Sequence, residues 1–241
     1  MSGRPIRQRL RERRFVKCCV DRCPKRVHML SRFCMRHAST DARHGHPEAR
    51  AINKYETEPY RKVFSAFLRA NKEHPAIVLL AKELDELIAE GASRAAVTPV
   101  PTRKPNSRDT GARWEQKLWH ELIRLHRGAV SGRDVLVTVG ALWMFSRAAQ
   151  NVLPPMSVQL QFAVARAVLS LAERPGRQRY TTRTLKATTE FSAPVLRHFG
   201  QRLVTMTCGL MRSAEVAFDE RASRLAERRR NLAAALNQPF A

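Results

Sequence analysis

Residues 192–210, SAPVLRHFGQRLVTMTCGL, place Leu196, Phe199, Leu203, Met206 and Leu210 at a 3-4-3-4 spacing. Only an α-helix brings residues so spaced onto one face. Ser192 suits an N-cap, and Pro194 suits the first turn, where a missing N–H is not needed. Beyond Leu210 the seam shifts phase through Ala214 and Phe218 to Ala222, Leu225 and Leu232. This predicts a long last helix whose stripe faces a core or forms a helix–helix seam. Association with another copy or with a protein partner through these C-terminal helices is the alternative use of the stripe.

The same period recurs towards the N-terminus. Trp114, Leu118, Leu122 and Leu125 share a face, and Gly128 follows them. Ser131 suits an N-cap before VLVTVGALWMF (residues 135–145), a run long enough to favour helix over buried strand. Pro154 and Pro155 open a further helix carrying Leu160, Phe162, Val164, Val168 and Leu171. Before these, Tyr60, Val63, Phe64, Phe67 and Leu68 read as one helix. After a break at His74 and Pro75, Ile77, Leu80, Leu84, Leu87 and Ile88 read as a second, with Gly91 as its C-terminal stop. Between the blocks, VTPVPTRKPNSRD (residues 97–109) has turn chemistry and no period. No run has a convincing period of two. The expected fold is mostly α: a basic arm (1–17), a small metal module (18–50), a helical hairpin (51–96), a linker (97–109) and a helical bundle ending in a long helix (110–241).

The chemistry concentrates in CCVDRCPKRVHMLSRFCMRH, residues 18–37. Cys18, Cys23, Cys34 and His37 follow C-x4-C-x10-C-x2-H, a donor set of thiolates and imidazole suited to one structural Zn²⁺. Cys34 and His37, three apart, fall on one face of a helical turn. Cys18 and Cys23 would come from a preceding loop. Cys19 competes with Cys18 on spacing alone. Four protein ligands leave no open position, so the ion is expected to be structural rather than catalytic. His44 and His46 follow as further ligands, phosphate contacts, general bases or simply the end of a helix.

The stretch from Cys18 to Pro47 resembles a short zinc-binding motif of bacteriophage and mobile-element proteins, similar to a treble-clef-like fold. In that motif a C-x4-C pair and a Cys-x2-His pair precede a basic helix ending in R-x-G-[HD]-P. Arg43, Gly45 and Pro47 match the ending, and the C-x4-C half favours Cys18 over Cys19. The resemblance covers about 30 of the 241 residues. It implies company with DNA-binding domains or HNH-type endonucleases.

Charge points the same way. The chain carries 44 Lys and Arg against 21 Asp and Glu, a net charge of +23. Residues 1–50 hold 14 basic against 4 acidic residues, whereas residues 51–100 hold 7 of each. Such a field attracts polyanions. Nucleic acid, DNA ahead of RNA, is the expected partner. The candidate contacts are Arg7, Arg9, Arg11, Arg13, Arg14, Lys17, Arg22, Lys25, Arg26, Arg32, Arg36 and Arg43. A second patch comprises Arg177, Arg179 and Arg183, near Tyr180. No run reaches the ~18 apolar residues of a membrane span, and clustered thiols fit a reducing cytoplasm. No P-loop, G-x-S-x-G or H-E-x-x-H motif is present. No enzyme is expected. An HNH-like nuclease using His28 or His44 is the last alternative, after a helical interaction protein with a structural zinc.

Overall fold

The computed structural model describes residues 16–29, 31–97, 112–172 and 192–236. Most of the basic arm, nearly all of the linker and the Arg177–Arg179–Arg183 patch therefore lie outside the described residues. Seven α-helices are present among the described residues: α1 (Met35–His44), α2 (Lys54–Ala70), α3 (Pro75–Val97), α4 (Ala112–Arg127), α5 (Gly132–Ala148), α6 (Val158–Leu169) and α7 (Ala193–Leu236). A 3-10 turn, Ser170–Ala172, follows α6. The only extended pairing among the described residues is a single antiparallel bridge, Lys17 to Arg26.

Local chemistry sets the helix starts. Asn53 caps α2 by accepting the Tyr55 N–H, and the Glu56 carboxylate reaches back to the Asn53 N–H at 2.7 Å. The Arg50 guanidinium grips the same carboxylate and, with the Asn53 amide, pulls its pKa down to about 2. Ser131 and Asp134 form an equivalent box at α5. There Asp85 of α3 also accepts the Gly132 N–H at 2.6 Å, tying the two helices together. Ser157, not the two prolines before it, caps α6.

Helices α2 to α7 surround one core that includes Phe64, Leu84, Leu122, Leu136, Phe162 and Phe199, all buried. The segments on either side of residues 98–111 thus share a single interior. The packing corrects one expectation. Gly91 does not stop α3, which runs on to Val97. A Cβ at Gly91 would lie 2.3 Å from Leu122, so this glycine serves a close crossing of α3 and α4.

The expected seam of α7 also drifts. Leu196, Phe199 and Leu203 are buried, but Met206 and Leu210 are only partly so, and Val204, Thr207, Met211 and Ala214 take over the interior. A straight helix of 3.6 residues per turn rotates away from a 3.5-residue repeat. Thr207 satisfies its buried hydroxyl on the Leu203 carbonyl at 2.8 Å. Glu215 then accepts from Trp143 and Arg147 of α5 and clamps α7 to the bundle. From Asp219 to Arg230 every side chain is exposed.

Candidate metal centre

The chain from Val16 to Val27 folds back on itself. Val27 N–H donates to the Val16 carbonyl at 3.0 Å, and Cys18 N–H to the Lys25 carbonyl at 2.9 Å. Arg22 takes a positive φ of 55° in the turn between them. A second crossing, Cys19 N–H to the Arg32 carbonyl at 3.1 Å, brings the strand-like segment alongside the approach to α1. Cys34 is the N-cap of α1, in extended conformation, and His37 lies in the first turn. Val20 and Phe33 pack with Cys18 and Cys34 as a small core of their own.

These backbone paths bring Cys18, Cys23, Cys34 and His37 together, with all ligand atoms within 4.8 Å of one another. The Cys18 sulfur lies 3.3 Å from Nδ1 of His37, and the sulfurs of Cys23 and Cys34 are 4.0 Å apart. Cys34 N–H donates to the Cys18 sulfur at 3.3 Å. Cys18 and Cys34 are buried, whereas Cys19 is exposed and outside the group. No other set of His, Cys, Asp or Glu side chains among the described residues is placed to hold a metal ion. His28, His44 and His46 are not drawn into the site.

The electrostatics favour a bound cation. Desolvation raises the Cys18 pKa, but the Cys34 amide, the His37 ring and the Val20 amide outweigh it and the net shift is downward. The amides of His37 and Arg36, at the start of α1, pull Cys34 down against its own desolvation. At Cys23 the Lys25 amide also pulls down, yet desolvation and the neighbouring Cys18 and Cys34 sulfurs prevail, and its pKa is raised. Three sulfurs this close resist a third negative charge unless a cation joins them.

No family model matches the chain, and neither a curated protein nor a solved structure is matched by it. The geometry alone therefore carries the functional argument.

Of the predicted contacts, Lys17, Arg22, Lys25, Arg26, Arg32, Arg36 and Arg43 are described, and all are exposed on the module. Arg22 sits 4.0 Å from Asp21. The Arg32 guanidinium lies over the Phe33 ring, 4.9 Å from its centroid, which holds it in place. Lys17, Lys25, Arg32 and Arg36 have no acidic partner among the described residues. Arg7, Arg9, Arg11, Arg13 and Arg14, like Arg177, Arg179 and Arg183, lie outside the described residues.

The R-x-G-H-P ending has a structural task that the sequence does not announce. Gly45 ends α1 at φ 74°, and its N–H donates to the Asp41 carbonyl at 2.8 Å. A Cβ there would lie 2.9 Å from both Phe162 and Val158 of α6. One turn along α6, Arg166 donates to the Arg43 carbonyl at 2.6 Å. His44, part-buried at this junction, has its pKa lowered by desolvation first and then by the charges of Arg166 and Arg43. It is a packing residue at the junction of module and bundle. No sequence signal marked Arg166, Val158 or Phe162 for this contact.

Proposed function

We propose that this is a nucleic-acid-binding protein, phage- or mobile-element-encoded, whose N-terminal module is held by a structural zinc and docks on phosphates, those of DNA ahead of RNA. Four-coordinate zinc, with Zn–S about 2.3 Å and Zn–N about 2.0–2.1 Å, needs ligand atoms about 3.5–3.8 Å apart. The observed 3.3 and 4.0 Å separations bracket that range. A soft thiolate–imidazole set disfavours Mg²⁺ and Ca²⁺. The full ligand set leaves the ion no substrate position, so the work falls to the side chains around it. One observation carries the reading: Lys17, Lys25, Arg32 and Arg36 are exposed, without acidic partners among the described residues, on a module small enough for the metal to fix its shape.

A triple variant, Lys25→Ala, Arg32→Ala and Arg36→Ala, tests this by fluorescence anisotropy with labelled duplex and single-stranded oligonucleotides. Affinity at low salt is expected to fall more than tenfold, and the salt slope to flatten by about 3, one per lost phosphate contact. Zinc content is expected to stay unchanged. Unchanged affinity in a variant that retains its zinc would remove the module from the interface.

A further inference from the structure

The last helix outruns the body it belongs to. From Asp219 to its end at Leu236, α7 extends about 27 Å at 1.5 Å per residue. Where it leaves the bundle, an open groove of about 680 Å³ lies between it and α2. Its walls are Val63 and Phe67 on one side and Ala217, Phe218 and Arg221 on the other. Phe67 and Phe218 meet at 5.2 Å between ring centroids and form its floor. Val63 is 45% exposed and Leu225, one turn beyond Arg221, is 47% exposed.

The groove face of α7 has a definite chemical order. Phe218, Arg221, Leu225 and Arg228 follow one another at 3-4-3 spacing, so apolar and cationic side chains alternate along one line. Neither Arg221 nor Arg228 has an acidic partner among the described residues. Glu220 and Glu227 sit on the opposite side of the helix, and Arg224 is turned aside to Glu220 at 3.1 Å. A second copy pairing through this line would set arginine against arginine in parallel register and against Phe218 or Leu225 in full antiparallel overlap, with no acidic group on the line to offset it, on molecules already carrying +23 each. A phosphate backbone would leave Phe218 and Leu225 unused.

We propose that this ladder is a docking site for an amphipathic helix of an acidic partner protein. Leucine-type side chains of that helix would fill the groove beside Phe218 and Leu225, with glutamate or aspartate set against Arg221 and Arg228. This interface is separate from the zinc module and does not rest on the nucleic-acid reading.

The test uses the full-length protein and a labelled synthetic 18-residue peptide with leucine and glutamate alternating at 3-4 spacing. Two controls accompany it: the same composition scrambled, and lysine in place of each glutamate. The alternating peptide is expected to bind at least tenfold more tightly than either control. Leu225→Asp and the pair Arg221→Glu with Arg228→Glu are each expected to weaken it at least tenfold. Both alter exposed positions, and unchanged circular dichroism checks the fold. The zinc-module triple variant is expected to bind the peptide as wild type does. Equal binding of the scrambled peptide, or no effect of Leu225→Asp, would overturn the proposal. A dimer in sedimentation that Leu225→Asp abolishes would assign the surface to a second copy instead. Oligonucleotide affinity lost in the Arg221→Glu, Arg228→Glu pair, with peptide binding unaffected, would assign it to nucleic acid.

Discussion

Cys34→Ser is expected to reduce bound zinc from one per chain to a small fraction and to unfold the N-terminal module while leaving the bundle intact. Cys34 holds three positions at once. It is a candidate metal donor, the N-cap of α1 and part of the module's small buried core. The ten-residue α1 buries none of its residues and has no side-chain cap hydrogen bond. A helix that short is marginal alone in water. Structural zinc in small modules contributes apparent binding energies of about 10–16 kcal/mol, and that energy is the folding energy. Loss of a direct ligand should cost more than the ~100-fold that loss of a supporting partner can cost. Metal analysis and hydrogen exchange over residues 16–44 read the effect. Cys19→Ser is the matched control and should retain its zinc, because Cys19 is exposed and outside the group. Full zinc in Cys34→Ser, or its loss in Cys19→Ser, would refute the ligand assignment.

Gly45→Val should leave the zinc in place but detach the module from the bundle. Two penalties combine. A β-branched residue at φ 74° is a true conformational outlier, and left-handed backbone costs a non-glycine residue about 1–2 kcal/mol. The new side chain would also meet Phe162 and Val158, where even a Cβ comes within 2.9 Å; overpacking of this kind costs about 1–3 kcal/mol. Together about 2–5 kcal/mol opposes the docked state, with the Arg166 bond to the Arg43 carbonyl as one of the contacts available to resist it. Exchange protection should fall at residues 43–47 and along the face of α6 that the module covers, with zinc content at one per chain. Wild-type stability and protection in Gly45→Val would mean that the junction is not a fixed contact.

The helical architecture was legible because its apolar spacing is regular. The stripes through Leu118, Leu122 and Leu125, and through Leu196, Phe199 and Leu203, read directly as buried faces. The convergence of Cys18, Cys23, Cys34 and His37 on one point was equally legible, since thiol and imidazole spacing is a local property. What was not legible depends on distant crossings. Gly91 reads as a stop in one dimension and becomes a contact once α4 lies across it. Arg166 is an ordinary helical arginine until the Arg43 carbonyl arrives from 123 residues away. The seam of α7 follows the sequence pattern at its start, through Leu196, Phe199 and Leu203. It then drifts to Thr207 and Met211, because helical pitch does not match a 3.5-residue repeat.

The most direct measurement is the affinity of the zinc-loaded protein for a duplex oligonucleotide between 50 and 200 mM salt. The four phosphate contacts proposed for Lys17, Lys25, Arg32 and Arg36 imply a slope of about −3.6 in log K against log salt. That is a loss of about 100-fold or more over this range. Such a loss, reduced in the module variant, is the result expected. Affinity that holds constant across the range would contradict the account.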